Sequence, residues 1–233
     1  MSKHACWPGQ AAAQALAADA DMLRFLHSSE LDASLLKNLR EVDFPANLAL
    51  LPGDAVSREA WCALSAALDE IPAQPDATVL DELAAEFAAI YLTGAYRLSP
   101  CESFWLDQDH LLYQGPMFAL RQRYAEAGVR VADWRKCPDD HMTHQLGFIA
   151  KLLSEARGEG DWEQLACFLD QHLLRWIHDF ARAVHERSAT SFYAALAVLT
   201  ASWCASLRAC IEVAPTAQAE GTHACGDATG MQH

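Results

Sequence analysis

The sequence predicts an all-α fold, organised as a single-domain helical bundle, and three observations support this prediction. Apolar residues recur at helical spacing along most of the chain, while alternating strand patterns are hard to find. Proline, glycine and capping residues stand where helices would begin and end. The 233 residues are 52% hydrophobic and only 21% charged, which is enough apolar material for one packed core. We expect the helical domain to span residues 1–213 and a flexible tail, rich in Gly, Thr and Ala, to span 214–233.

Four helices are predicted in the first part of the chain, each indicated by apolar residues three or four positions apart. They cover residues 11–27, 31–39, 57–70 and 78–93. Ser57 is expected to cap the third helix, because its hydroxyl can accept a hydrogen bond from a free backbone N–H. Gly94 follows the fourth helix, where a residue with positive φ commonly ends a helix. Pro45, Pro52 and Gly53 predict a connector at 44–54.

An irregular segment and further helices are predicted in the second part. The segment AYRLSPCESFWLDQDHLLYQG precedes Pro116, which is expected to start a helix that ends near Gly128. An extended-looking stretch, VRVADWRK at 129–136, follows. The remaining helices are predicted at 138–157, at 161–186 with a break near 172–174, and at 190–211. Cys137 is expected to cap the helix that Pro138 opens, which would place Asp139 and Asp140 in its first turn.

The balance of charge indicates the class of partner. The chain has 17 Lys and Arg against 31 Asp and Glu, which gives a formal charge of −14. This charge repels a phosphate backbone and an anionic lipid surface, and it attracts cationic ligands. The sequence therefore predicts no nucleic-acid partner and favours a basic peptide.

The chain is expected to be a soluble, cytoplasmic protein without stable membrane insertion. Residues 188–207 carry no charge and have the length of a membrane span, but six Ser and Thr residues and many alanines favour a buried helix of a soluble bundle. The N-terminal residues lack the uninterrupted apolar run of a secretory signal. None of the eight cysteines forms a CxxC pair, so we expect mostly reduced thiols.

The stretch CPDDHMTH at 137–144 concentrates a cysteine, two aspartates and two histidines. It is open to three interpretations: a charged helix start, an acid/base pair, or a metal site in which His141 and His144 share a helix face. No HExxH motif or cysteine pair completes a metal site, and no phosphate loop, dinucleotide motif or serine-hydrolase elbow occurs in the chain. We therefore expect no catalytic residue, no metal and no cofactor.

Five segments resemble, in order and spacing, the TorD/DmsD family of twin-arginine redox-enzyme maturation chaperones. They are EFAAIYLTG at 86–94, SPCESFWLD at 99–107, LLYQGPMFALRQRYAEAG at 111–128, CPDDH at 137–141 and FYAALAVLTASW at 192–203. The resemblance implies an all-helical, non-enzymatic cytoplasmic chaperone. It implies as partners the twin-arginine leader peptide and the apo-form of a molybdopterin oxidoreductase, whose folding, cofactor insertion and proofreading before export the chaperone supports.

The resemblance also implies which residues bind the leader. They are Phe87, Ile90, Tyr91, Pro100, Cys101, Trp105, Asp140 and His141. Cys101 and Cys137 depart from the family pattern, which often has an aromatic residue and a glutamate there. The family analogy leaves the chain a monomer or a dimer. It favours a client of the DMSO or TMAO reductase type, with a NarJ-type nitrate reductase assembly role as the alternative.

A groove with apolar walls and an acidic rim would match both halves of such a leader, its two arginines and its apolar stretch. One Arg–carboxylate pair is worth at most about 4 kcal/mol before desolvation and ordering are subtracted, so apolar burial must supply much of the affinity. A second hypothesis is a nucleotide-binding or hydrolytic protein that uses Asp140 and His141.

Overall fold

The structure is a computed structural model that describes residues 8–212. Within that range the chain forms ten α-helices, one π-helical turn and one 3₁₀ turn, and no strand. The helices are α1 (Gln10–Leu26), α2 (Ala33–Glu41), α3 (Ala55–Glu70), α4 (Ala77–Phe87), α5 (Glu102–Leu106), α6 (Gly115–Glu126), α7 (Met142–Glu155), α8 (Glu159–Gln171), α9 (Ile177–Arg187) and α10 (Ser191–Glu212). The all-α prediction is confirmed. The predicted tail at 214–233 lies outside the described residues.

Three helices begin at an aspartate whose side chain accepts a hydrogen bond from the backbone N–H three residues later. Asp32 caps α2, Asp54 caps α3 and Asp76 caps α4. The prediction that Ser57 caps α3 is wrong, because Ser57 lies inside the helix and its N–H donates to Asp54 at 2.7 Å. Asp carboxylates are effective caps because the helix N-terminus leaves N–H donors without a partner.

Helix α10 is the central element of the fold. It packs against α3, α8 and α9, while α1 packs against α7. Residues Ser191–Ile211 are long and apolar enough to cross a membrane by length and composition, but 61% of their most apolar window is buried inside the protein. Glu86 accepts hydrogen bonds from the N–H groups of Ala189 and Thr190, which fixes the entry to α10 against α4.

The helix predicted at 78–93 changes character at its end. After Phe87 the chain continues as a π-helical turn, Ala88–Leu92, and the Thr93 N–H donates to the Ala88 carbonyl five residues back. Gly94 follows with φ of 65°, as predicted for the residue that ends the helix. Single π turns inside helices often occur at functional sites, because they shift the register of the side chains that follow.

The predicted start of the helix after CPDD is wrong. Helix α7 begins at Met142, and its N-cap is His141 rather than Cys137. Pro138, Asp139 and Asp140 lie in the turn before the helix, so the two carboxylates are not in its first turn. The Asp140 carbonyl and side chain bind residues of another segment, which holds the chain away from the helical path. The irregular segment also contains the short helix α5.

The other predicted boundaries hold with small shifts. Helix α8 begins at Glu159, so Asp161 is its third residue and accepts the N–H of Gly158 at 3.0 Å. The predicted break near 172–174 is present as the 3₁₀ turn Leu173–Arg175 between α8 and α9. The stretch at 129–136, which looked extended, forms turns instead at 132–136.

Candidate functional site

A cavity of about 610 Å³ lies between the π turn that ends α4, the segment around α5, and the turn before α7. This volume is within the range of about 300–1,000 Å³ that is common for ligand pockets. We call it the α4–α7 cavity, because it lies between the end of α4 and the start of α7. Its walls include Phe87, Ile90, Tyr91, Leu92, Arg97, Pro100, Cys101, Phe104, His110, Leu112, Tyr113, Lys136, Cys137 and His141, with His27 at its base.

Six of the eight residues predicted to bind the leader line this cavity, and two do not. The six are Phe87, Ile90, Tyr91, Pro100, Cys101 and His141. Phe87 and Tyr91 have ring centroids 4.8 Å apart. Trp105 and Asp140 lie behind the cavity wall. Residues that are separated by up to 54 positions in sequence are thus brought to one surface.

Strained backbone is concentrated at the α4–α7 cavity. Four residues other than glycine have positive φ within the described range, and three of them line the cavity: Arg97 (52°), His110 (54°) and Tyr113 (62°). Such conformations carry an energetic penalty for residues with a Cβ atom, and they cluster at binding and active sites. Together with the π turn, they mark this surface as the candidate functional site.

Two backbone hydrogen bonds join the Pro-rich segment to the turn before α7. The Met142 N–H donates to the Pro100 carbonyl at 2.8 Å, and the Glu102 N–H donates to the Asp140 carbonyl at 3.1 Å. Cys101 and His141 lie between these two hydrogen bonds and face each other as an isolated antiparallel bridge. This bridge is the reason that both segments face the same cavity.

Asp140 supports the cavity wall from behind. It is fully buried, and its Oδ2 accepts the Ser103 N–H at 2.7 Å at the start of α5. Burial raises the pKa of the Asp140 carboxyl, while the hydrogen bonds from Ser103 oppose that rise. The motif therefore places a structural carboxylate here, and Asp140 has no surface in the cavity.

A buried polar network extends from Asp140 into the protein. Gln145 donates through Nε2 to the Asp140 carbonyl at 3.0 Å and to the Glu102 carboxylate at 3.1 Å. The other Glu102 oxygen lies 3.2 Å from Nδ1 of His172. Burial raises the pKa of Glu102, and His172 partly offsets that rise. These contacts tie the cavity wall to α7 and to the end of α8.

The floor of the cavity is fixed by His27, which lies on the chain just after α1. Its Nδ1 is 2.6 Å from the Tyr91 hydroxyl, and its Nε2 is 2.8 Å from Thr200 Oγ1. The Thr200 hydroxyl donates to the Leu196 carbonyl, so it accepts from His27 Nε2–H and leaves Nδ1 to accept from Tyr91. Burial lowers the pKa of His27 to about 3, and His141 contributes to that effect. A neutral imidazole thus orients the Tyr91 ring.

His141 is likewise neutral. Its Nδ1 accepts the Thr143 N–H at 3.2 Å as the N-cap of α7, so the ring proton belongs on Nε2. Burial lowers the pKa of His141 to about 3, with His144 as a second cause. This geometry suits a donor that offers one N–H to a ligand atom. It offers no positive charge at neutral pH.

The predicted acidic rim is wrong for this cavity. None of its lining residues is Asp or Glu, and the charged ones are Arg97 and Lys136. The mouth is instead apolar and accessible, with Leu92 71% exposed, Tyr113 40% exposed and Leu112 37% exposed. The sequence pattern alone did not single out these three residues. The LLY run at 111–113, inside an otherwise irregular segment, was the signal for Leu112 and Tyr113, because a loop rarely exposes several large apolar residues in a row without a partner. No comparable signal marked Leu92.

Trp105 holds the cavity wall in place and does not line it. Its Nε1 donates to the Ser99 carbonyl at 2.8 Å, and its ring packs against Phe104 and Phe180. Phe180 also contacts Tyr91, at 6.4 Å between ring centroids. Trp105 and Tyr91 therefore pack on the same core residue from two sides.

The two cysteines that depart from the family pattern both line the cavity. Cys101 is buried, and burial raises the pKa of its thiol, with Asp140 as a further cause. Burial also raises the pKa of Cys137. Both side chains are neutral, weakly polar thiols at neutral pH, so they add apolar surface to the wall. The six cysteines among the described residues are free thiols.

No metal centre is formed in the part of the chain that the structure describes. No group of three or more His, Cys, Asp or Glu residues between residues 8 and 212 is arranged to hold an ion. His141 and His144, which share a face in the sequence pattern, have ring centroids 6.2 Å apart.

Residues 53–182 match the family model described as nitrate reductase delta subunit. The chain is 27% identical over 187 residues to chaperone protein TorD of Vibrio parahaemolyticus, which covers 77% of this chain and 86% of that protein. It is 28% identical over 190 residues to chaperone protein TorD of Shewanella pealeana, covering 78% and 83%. It is 30% identical over 154 residues to the protein of the same name from Vibrio cholerae, covering 63% and 69%.

Proposed function

The chain belongs to the nitrate reductase delta subunit family, and we propose that it is a cytoplasmic chaperone that binds the twin-arginine signal peptide of a molybdoenzyme. In this role it supports the folding, cofactor insertion and proofreading of the enzyme before export. The resemblance to the TorD/DmsD family favours a client of the TMAO or DMSO reductase type, and the similar chaperones carry the name TorD. The role is one of binding, and no catalytic residue is assigned.

The observation that supports this proposal is the convergence of six family-implied residues on one apolar cavity. Phe87, Tyr91 and Pro100 form part of its wall, and the exposed Leu92 extends the apolar surface to the mouth. An amphipathic peptide that becomes helical presents apolar side chains at helical spacing, and such side chains bind in grooves of this kind. The apolar part of the leader is therefore the part that enters the cavity.

The arginines of the leader bind outside the cavity. Its lining contains no carboxylate, and Arg97 and Lys136 repel a guanidinium group. The net charge of −14 attracts a cationic peptide over a longer range, which raises the rate of association more than the final affinity. We expect removal of the arginines to weaken binding mainly at low salt, and removal of the apolar residues to weaken it at all salt concentrations.

The proposal is tested by calorimetric titration of a synthetic leader peptide into the full chain. Leu92→Asp places a charge at the apolar mouth, and it should lower affinity by roughly ten-fold or more, since burying an unpaired carboxylate costs more than 1.4 kcal/mol. Leu51→Asp is the matched control, because Leu51 is 69% exposed and lies outside the cavity. Equal affinities for the two variants, or no binding by the unaltered chain at high micromolar concentration, would argue against the site.

Two alternatives remain for the client and the chemistry. The description of the family model favours assembly of a nitrate reductase, and affinity purification from the native host would identify the enzyme that co-purifies. A hydrolytic role for Asp140 and His141 has less support, because the Asp140 carboxylate is bound to Ser103 and has no surface in the cavity. GTP turnover that is lost in His141→Ala would support it.

A further inference from the structure

One stretch of this acidic chain has the opposite charge. Between residues 121 and 136 lie five of the 17 Lys and Arg residues but only two of the 31 Asp and Glu residues. The local balance is positive in a protein whose formal charge is −14. The stretch comprises the second half of α6 and the turns that follow it. A local reversal of charge on a strongly charged protein attracts a ligand of the opposite sign to that one surface.

The structure places two of these five cations against a tryptophan. The guanidinium carbons of Arg121 and Arg135 lie 4.4 Å and 4.6 Å from the Trp134 ring centroid, within cation–π range. Phe118 extends the group, since Arg121 lies 5.5 Å from its ring and the ring is 55% exposed. We call these four residues together with Arg130 the basic-aromatic patch. Trp, Tyr and Arg are the residue types most enriched among the energetically dominant residues of protein interfaces.

A second cavity, of about 360 Å³, opens beside the patch. Its lining contains Arg121, Arg130 and Trp134, the apolar side chains of Val129 and Val131, and Asp139, whose carboxylate is paired with Arg121. This combination offers guanidinium donors at the edge and apolar surface inside. It fits a segment in which carboxylates alternate with apolar side chains.

Two arginines of the patch have no carboxylate partner among residues 8–212. Arg121 is paired with Asp139, Arg123 with Glu126 and Lys136 with Asp133. Within this described range no salt bridge involves Arg130 or Arg135, although the chain as a whole has an excess of carboxylates. Each of these exposed guanidinium groups has free N–H donors in the fork geometry that binds a carboxylate through two hydrogen bonds.

We propose that the basic-aromatic patch docks an acidic, partly apolar segment of a partner protein. Duplex nucleic acid and anionic membranes are disfavoured, because an extended polyanion would also meet the surrounding negative surface. A nucleotide is disfavoured because guanidinium groups already lie against the Trp134 ring and no phosphate loop is present. A short acidic segment can contact the patch without approaching the surrounding negative surface. This surface adjoins the α4–α7 cavity, because Tyr113 of the cavity lies 6.3 Å from Trp134 between ring centroids, but no patch residue lines that cavity and the two ligands differ.

The test uses the full chain and a fluorescein-labelled peptide of repeated Asp-Leu-Glu units, with repeated Asn-Leu-Gln units as the neutral control. Fluorescence anisotropy should show binding of the acidic peptide alone. The Arg130→Gln, Arg135→Gln double variant should weaken it by roughly ten-fold or more, because truncating arginines that pair with carboxylates at an interface commonly has effects of this size.

A matched double variant distinguishes the effect of losing the patch arginines from the effect of lowering the net positive charge anywhere on the protein. Arg58→Gln with Arg182→Gln removes the same charge from exposed positions on α3 and α9 that line neither cavity. It should retain affinity for the acidic peptide within about two-fold. Equal weakening by both double variants, or no binding by the unaltered chain, would overturn the proposal. Displacement of the peptide by duplex DNA or by GTP at lower concentrations than by unlabelled peptide would also overturn it.

The proposal of leader binding and the proposal of an acidic partner can be tested independently of each other. The Arg130→Gln, Arg135→Gln variant should bind the leader peptide as the unaltered chain does, and Leu92→Asp should bind the acidic peptide as the unaltered chain does. Loss of leader binding in the patch variant would show that the two surfaces are one site, which would overturn the assignment of a separate acidic partner.

Discussion

The α4–α7 cavity and the basic-aromatic patch meet at consecutive residues of the chain, since Arg135 belongs to the patch and Lys136 lines the cavity, yet they are built in different ways. The cavity is lined largely by buried or neutral groups that other buried groups hold in place, such as Tyr91 by His27 and the Pro100 segment by Asp140. The patch consists mostly of exposed or half-buried side chains that contact one another. Substitutions of residues that support the cavity should therefore alter the stability of the protein as well as ligand binding. Substitutions in the patch should alter ligand binding alone.

This difference also separates the two kinds of ligand. The cavity presents apolar walls and the neutral imidazoles of His27 and His141, so shape and apolar area decide what it binds. The patch presents permanent positive charge, so its affinity should fall with added salt. A chaperone with both surfaces can contact an export signal and another part of a partner at once, and two linked contacts bind more tightly than either one.

The largest effect is expected from removing the support behind the cavity. Asp140→Ala leaves the buried Ser103 N–H without an acceptor, and we expect the free energy of unfolding to fall by about 1–3 kcal/mol in urea denaturation. Asp140→Asn keeps an oxygen acceptor for the Ser103 N–H, so it should lower the free energy of unfolding clearly less. Leader affinity should fall in the alanine variant through displacement of the Pro100 segment. Equal losses of stability in the two variants would show that the hydrogen bond to Ser103 is not the cause.

The next effect concerns pH. Burial lowers the pKa of His27 from 6.5 to about 3, so the unfolded chain binds a proton more readily than the folded chain between these values. The contribution of His27 to stability is therefore highest above about pH 6.5 and falls as the pH decreases toward 3. For His27 alone, linkage gives a loss of roughly 2 kcal/mol between about pH 7 and about pH 5.

The measurement is urea denaturation of the unaltered chain and of His27→Gln at both pH values. Gln does not titrate, so acidification should lower the free energy of unfolding of the variant by roughly 2 kcal/mol less than that of the unaltered chain. Any loss of stability that the substitution causes equally at both pH values does not affect this difference. His141, whose pKa burial also lowers to about 3, should maintain part of the acid sensitivity in the variant. An identical pH dependence in both proteins would mean that His27 is not buried in the neutral form.

The smallest effect is expected in the patch. The Arg130→Gln, Arg135→Gln variant should unfold within about 0.5 kcal/mol of the unaltered chain, because both side chains are exposed and neither has a carboxylate partner among residues 8–212. Thermal unfolding followed by circular dichroism provides the check. A large loss of stability would remove the contrast with the cavity, and it would mean that the arginines support the fold through the Trp134 ring.

The sequence was sufficient for the order and type of most helices. Apolar periodicity specified α1, α4 and α10, and glycine marked the end of α6 and of the π turn. It was not sufficient for the helix starts that depend on distant partners. Ser57 and Asp54 are both good caps by local chemistry, and the register of α3 against α10 decides between them.

The candidate site shows the same division at the level of single residues. Family resemblance identified Phe87, Tyr91 and Pro100, which line the cavity, but it did not distinguish them from Asp140, which supports it. A carboxylate in a turn looks the same in sequence whether it faces solvent or a buried N–H. The accessible residues at the mouth, such as Leu92, were missed because exposure depends on which neighbouring segments pack nearby.

By itself, the sequence determined the helical class of the fold, the acidic balance and the local reversal of charge at 121–136, because these follow from residue identity and spacing along one chain. Only the tertiary structure decided that the cavity has no acidic rim, that His141 caps α7 and that Arg130 and Arg135 lack carboxylate partners among residues 8–212. The physical reason is that burial, pKa and hydrogen-bond partnership are properties of the surroundings, and those surroundings come from segments far apart in the chain.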